Sequence, residues 1–131
     1  MSSSAQQAPG IERTDLQQHD LSAPGREVVQ NRVVISPEAP AIKHKHPGQE
    51  IIYVLEGSLE YQIEGEPMRT VKAGEALMVP AETIHAVKNV GTGNAAELAT
   101  YVVKKGSRSS YWPSERRRTQ NEVRAAFGSL R

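Results

Sequence analysis

The sequence predicts an all-β fold, an antiparallel sandwich or barrel, and three observations carry that prediction. Short runs rich in Val, Ile and alternating apolar and polar residues recur along the chain. Gly, Pro and Asn clusters break these runs roughly every 8–12 positions. The chain is 131 residues long, enough for one domain with a buried core, and it has no cysteine to staple a smaller scaffold.

Residues 1–26 are polar and rich in Ser, Gln, Pro and Gly, and they read as an extended arm. No apolar stretch follows Met1, so a cytoplasmic protein is the default expectation. Ser3-Ser4-Ala5 is the small-residue kind of sequence found near a leader cleavage site, and a periplasmic location follows if a leader has been removed. No apolar run approaches the roughly 18 residues of a membrane helix, so no membrane contact is expected.

The β pattern starts at residue 27. Residues 27–36 (EVVQNRVVIS) form a first strand, which Pro37 and Pro40 end. Residues 51–55 (IIYVL) form another, stopped at Glu56-Gly57. Residues 58–64 alternate cleanly, with Leu59, Tyr61 and Ile63 on one face and Glu60, Gln62 and Glu64 on the other. Residues 68–71 and 76–79 are short strands around Ala73-Gly74. Residues 83–90 and 95–104 are two more, separated by Gly91-Thr92-Gly93-Asn94. The run 51–55 is apolar on both parities. One face points into a barrel and the other needs cover, which predicts a homodimer packed sheet to sheet.

The formal net charge of +1 conceals an asymmetry. From Lys104 to Arg131 eight Lys and Arg face two Glu, a balance of +6, while residues 1–103 carry −5. A mildly acidic body therefore bears a basic tail over 106–131, densest at Arg116-Arg117-Arg118. Thr119-Gln120-Asn121-Glu122 is a capping-box pattern ahead of Val123, Ala125, Ala126 and Phe127, which predicts a short helix there. No nucleic-acid-reading pattern accompanies the tail, and nucleic acid is not expected as a partner. The resulting division is an arm over 1–26, a barrel over 27–105 and the tail.

Without cysteine, thiol nucleophiles and Cys-ligated metals are excluded, so metal chemistry falls on four histidines. His44 and His46 flank Lys45, and on an extended chain they share a face with Cα atoms about 6.5–7 Å apart. Glu50 has the same parity, but Pro47-Gly48 bends the chain between them, and a turn there would swing its carboxylate back. His85 opens a later strand. Three imidazoles and one carboxylate suit one divalent transition metal (Fe, Mn, Ni, Co, Cu or Zn) and disfavour Ca and Mg.

His44-x-His46-x3-Glu50-x6-Gly57 and Gly74-x5-Pro80-x4-His85-x3-Asn89 are the two motifs of the cupins, separated by residues 58–73. Over residues 27–105 the sequence resembles the small single-domain bacterial cupins, the conserved-barrel, RmlC-like type. The resemblance implies a double-stranded β-helix, or jelly roll, with one metal held by His44, His46, Glu50 and His85. Gly57, Gly74, Pro80 and Asn89 would hold turns and strand ends. His19 lies outside both motifs and reads as a surface residue. Two positions depart from the pattern. Glu38 stands where a glycine usually opens the first motif, and Glu82 where one usually follows the proline of the second. Glycine at such turns commonly serves φ > 0, so Glu implies a different turn or some strain.

The resemblance implies a metal-binding protein acting on a small organic substrate. Its leading form is a quercetinase-like dioxygenase, with Glu50 able to detach and act as base. The alternatives are a non-redox lyase or isomerase using the metal as Lewis acid, a non-catalytic ligand- or metal-binding module, and a barrel stabilised by its metal. Parity places Ile52, Val54 and Val87 in the pocket, with Tyr101 as a candidate hydroxyl. That lining is aliphatic and favours a small or apolar ligand.

Overall fold

A computed structural model describes residues 9–107, and the strands follow the sequence pattern closely. Eight form: β1 (Ile11–Asp20), β2 (Arg26–Ile35), β3 (Gln49–Glu56), β4 (Ser58–Ile63), β5 (Arg69–Lys72), β6 (Ala76–Val79), β7 (His85–Asn89) and β8 (Ala95–Lys104). No helix occurs among the described residues. The expected C-terminal helix and the Arg116–Arg118 cluster lie outside the described residues.

The strands make two antiparallel sheets, ordered β1-β2-β8-β3-β6 and β5-β4-β7. This is the expected all-β jelly roll. Inner faces follow the two-residue period. Val29, Val33 and Ile35 on β2, Ile52 and Val54 on β3, Leu59, Tyr61 and Ile63 on β4, and Ala99, Tyr101 and Val103 on β8 are buried against one another.

Register turns these alternations into rows across the larger sheet. Arg13 pairs with Val33, Val33 with Glu97, and Glu97 with Val54. Two residues along, Asn31, Ala99 and Ile52 form the next row, and two further, Val29, Tyr101 and Glu50 form a third. In the facing sheet Ile63 pairs with His85 and Tyr61 with Val87. Within these rows two acidic side chains, Glu97 and Glu50, enter the barrel interior, on rows four residues apart.

The segment expected as a polar arm contains the strand β1. It lies at the sheet edge and pairs with β2 from Ile11↔Ile35 to Asp20↔Glu27, with an irregularity between Asp15 and Gln17. Its side chains are mostly exposed, and backbone pairing with Gln17–Gln30 and Lys105–Asp20 contacts holds it. Edge strands of this kind lack the apolar alternation that reveals inner strands.

Gly57 closes β3 onto β4 with φ +81°, and a Cβ there would lie 2.8 Å from the Ala95 Cβ. Both the left-handed backbone and the close approach require glycine. Asn89 holds the β7–β8 turn. Its Nδ2 donates to Ile35 O (2.8 Å) and Gly93 O (2.9 Å), and its Oδ1 accepts from Gly91 N–H (2.8 Å).

Candidate metal centre

The site is assembled where the segment before β3 crosses to the smaller sheet. His44 and His85 exchange backbone hydrogen bonds, N–H to O=C, at 2.9 and 2.8 Å. That pair brings the H-x-H segment against the start of β7. Glu82 N–H donates to His46 O at 2.8 Å and fastens the same segment from the other side. Glu82 does this with φ +57°, the conformation that the glycine usual at its position would adopt. The turn is thus kept and the strain accepted, about 1 kcal/mol for a non-glycine residue. Glu38 has no such φ, so the loop there takes a different turn without left-handed strain.

The ligating atoms offered by His44, His46 and His85 all lie within 4.8 Å of one another. Ring centroids are 4.2 Å apart for His44–His85, 5.0 Å for His44–His46 and 5.2 Å for His46–His85. Nδ1 of His44 donates to Ile42 O (2.7 Å) and Nδ1 of His85 to Thr83 O (2.9 Å). Each bond fixes the tautomer that leaves Nε2 as an inward lone pair, the usual arrangement behind a metal-bound imidazole. Glu50 Oε1 lies 3.3 Å from His85 Nε2 and 3.5 Å from His46 Nε2.

The fit of this donor set to a metal is direct. His85 Nε2 and Glu50 Oε1 are shut off from solvent and face each other at 3.3 Å without a well-aligned hydrogen bond. Buried polar atoms left so are costly unless a further partner joins them. Nitrogen-rich sites with one carboxylate suit a divalent transition ion.

Electrostatics agree. Burial lowers the pKa of His46 to about 3, against the opposing charge of Glu50. Burial also lowers His44, against its bond to Ile42 O. Both rings are therefore neutral near pH 7, as ligands must be. At His85 burial pulls downward, but Glu50 and the Thr83 carbonyl outweigh it and raise the pKa. At Glu50 burial pushes upward, and the three imidazoles overcome it and lower the pKa.

Beside the histidines runs a cavity with about 510 Å³ of free space counted out to its mouth. Val87 and Tyr101 line it, together with His44, His85 and Glu50. Tyr101 packs edge-on against His46, with centroids 4.9 Å apart, and hydrogen-bonds Glu50. Ile52 and Val54 do not line the cavity. They are fully buried core residues, because parity fixes the inner face but not which level of the barrel is filled. The pocket is not aliphatic either. Arg13, Tyr61 and Glu97 join its wall. Glu97 is 4% exposed and accepts a hydrogen bond from the Tyr61 hydroxyl. Burial, then the charge of Glu50, push its pKa up to about 8, against the opposing charge of Arg13. Glu97 shares its face of β8 with Tyr101, and nothing in the sequence marked Arg13. His19 is at the surface, beside Gln17 at 3.1 Å and away from the site.

A two-sheet β-barrel with a histidine triad at one side of its interior defines a class of small metal-site barrels. The cupin-domain family model matches residues 31–104, and the chain belongs to the cupin family. Over 63 residues it is 35% identical to the polyketide synthase CurC of Streptomyces cyaneus, a match covering 47% of this chain and 40% of that protein. The chain thus corresponds to less than half of this curated relative. Among solved structures, an RmlC-like cupin from Shewanella frigidimarina aligns with a TM-score of 0.59 at 19% identity, covering 74% of this chain and 79% of the other. Oxalate oxidase in complex with the substrate analogue glycolate aligns with a TM-score of 0.57 at 25% identity, covering 76% of this chain and 58% of that one. No described helix is long and apolar enough to cross a membrane.

Proposed function

We propose that this chain is a metal-dependent enzyme that moves protons on a small molecule with an enolisable carbonyl, as non-redox lyases and isomerases do. One observation carries the reading. The cavity lined by His44 and His85, two of the three convergent imidazoles, is also lined by a buried carboxyl, Glu97, and by Arg13. His44, His46, His85 and Glu50 would hold the ion, which when bound supplies Lewis acidity to a carbonyl oxygen. Tyr101 keeps Glu50 oriented through its hydrogen bond. Glu97 offers a proton on the cavity wall, and Tyr61 orients it. The barrel walls exclude water from both groups.

The polar wall favours this chemistry over quercetinase-like oxygenation. The likeness to CurC, a polyketide synthase by name, is in keeping with carbonyl-rich substrates. The test is hydrogen–deuterium exchange into pyruvate by zinc-loaded protein, followed by proton NMR. Exchange beyond the buffer rate, lost in His85→Ala and without oxygen consumption, supports the reading. Oxygen uptake with a flavonol that depends on His85, and no exchange, replaces it with the dioxygenase.

A homodimer remains part of the proposal. Ile51, Tyr53, Leu55 and Met78 are 42–49% exposed on the outer face of β3 and β6, and Ile51 pairs with Met78. This contiguous apolar patch suits a second copy of the sheet.

A further inference from the structure

The metal site occupies only part of the cavity. The row of Glu50 and Tyr101 and the row of Glu97 lie four residues apart along β8, about 13 Å between Cα atoms. The middle row contributes Ala99, whose side chain is a single methyl. Glu97 is flanked across the sheet by Val33 and Val54 and faced by the Tyr61 hydroxyl. Arg13 stands in the same row, on the far side of Val33. The metal reading does not use these three side chains as ligands, yet all three line the cavity.

The charge balance indicates what they receive. A divalent ion with Arg13 and Glu50 leaves the cavity with an excess of positive charge while Glu97 is protonated. A protonated carboxyl is a hydrogen-bond donor to an anionic oxygen, and the two groups can share one proton. Resting on the proposed metal site, we infer that Glu97, Tyr61 and Arg13 form an anion-accepting subsite beside it. The ligand is then a small organic acid with two acidic ends, one on the metal and the other on Glu97. On binding, solvent supplies a proton to the Glu97 carboxylate fraction, an O–H bond forms, and that O–H donates to the ligand's second carboxylate.

The groups facing Glu97 set the direction of this coupling. Tyr61 from β4 and Arg13 from β1 favour its charged form, whereas Glu50 from β3 and burial favour the neutral one. Tyr101 faces the same cavity from its own strand. A metal ion adds to the first set and the ligand's carboxylate to the second, so binding draws a proton in.

Calorimetry of zinc-loaded protein with pyruvate and with 2-oxoglutarate tests this, because the two share the metal-chelating oxo acid and differ by the second carboxylate. At pH 8, in two buffers of different ionisation heat, 2-oxoglutarate is expected to bind at least about tenfold more tightly and to take up a proton. Glu97→Gln is expected to abolish the uptake, and Arg13→Gln to remove most of the affinity difference. Tyr61→Phe, which keeps the ring, moves the uptake to higher pH. Equal affinity for the two acids, absence of uptake, or uptake unchanged in Glu97→Gln overturns the inference while leaving the metal site standing. Protein that takes up no zinc overturns both.

Discussion

Glu97 gives the sharpest link between burial and a measurable quantity. In the folded chain it stays protonated up to about pH 8, whereas in the unfolded chain it ionises near 4.5. Between these values the native state holds a proton that the unfolded state has released. Stability from this group is therefore fully present below pH 4.5 and falls as pH rises towards 8, by about 1.4 kcal/mol per pH unit. From pH 5 to pH 7 the loss is about 2–3 kcal/mol, on the order of 10 °C in Tm for a domain of this size. Glu97→Gln keeps the shape and an acceptor for the Tyr61 hydroxyl but carries no titrating proton. Thermal unfolding of both proteins in chelator, across pH 5–8, isolates the effect as their difference. The wild type is expected to lose about 10 °C relative to the variant between pH 5 and 7. A difference that is flat with pH, or that grows in favour of the wild type, would refute the burial argument.

Other perturbations test the turns and the outer face. Gly57→Ala places a methyl 2.8 Å from Ala95 Cβ at φ +81°, and a loss of about 2–3 kcal/mol in urea unfolding is expected. Glu82→Gly relieves the left-handed backbone at φ +57° but loses the exposed 3.6 Å contact with Lys45, so its stability is expected within about 1 kcal/mol of wild type. Light scattering is expected to give twice the 14.3 kDa chain mass, and Tyr53→Lys to return it to one chain. A wild-type mass of one chain sinks the dimer.

The fold was legible because most strands have one wet and one buried face. Ser58–Ile63 alternates in sequence as it does in the sheet, and Ala76–Val79 keeps its expected bounds. The convergent histidines were legible because their spacings are fixed by two turns, one at Pro47-Gly48 and one ending at His85. Gly48 could be nothing larger, since a Cβ there would sit 2.2 Å from Val102 O. β1 escaped because backbone pairing needs no side-chain pattern. Glu97 escaped because strand 95–104 is apolar on both parities and its partner Tyr61 is 36 residues away in the other sheet. Arg13 reaches the cavity only through the β1–β2 register, which no local pattern encodes. Ile52 and Val54 show the complementary limit. Inner parity says that a residue is buried, and the packing of the other sheet decides whether it meets a core or a cavity.

His44, His46 and His85 are expected to converge on one ion. Plasma mass spectrometry of the purified chain, alongside His44→Ala, His46→Ala and His85→Ala, measures it most directly. About one transition-metal ion per folded chain is expected, falling to about a tenth or less in each variant. A folded wild type that retains no transition metal after loading, or metal content indifferent to all three substitutions, contradicts it.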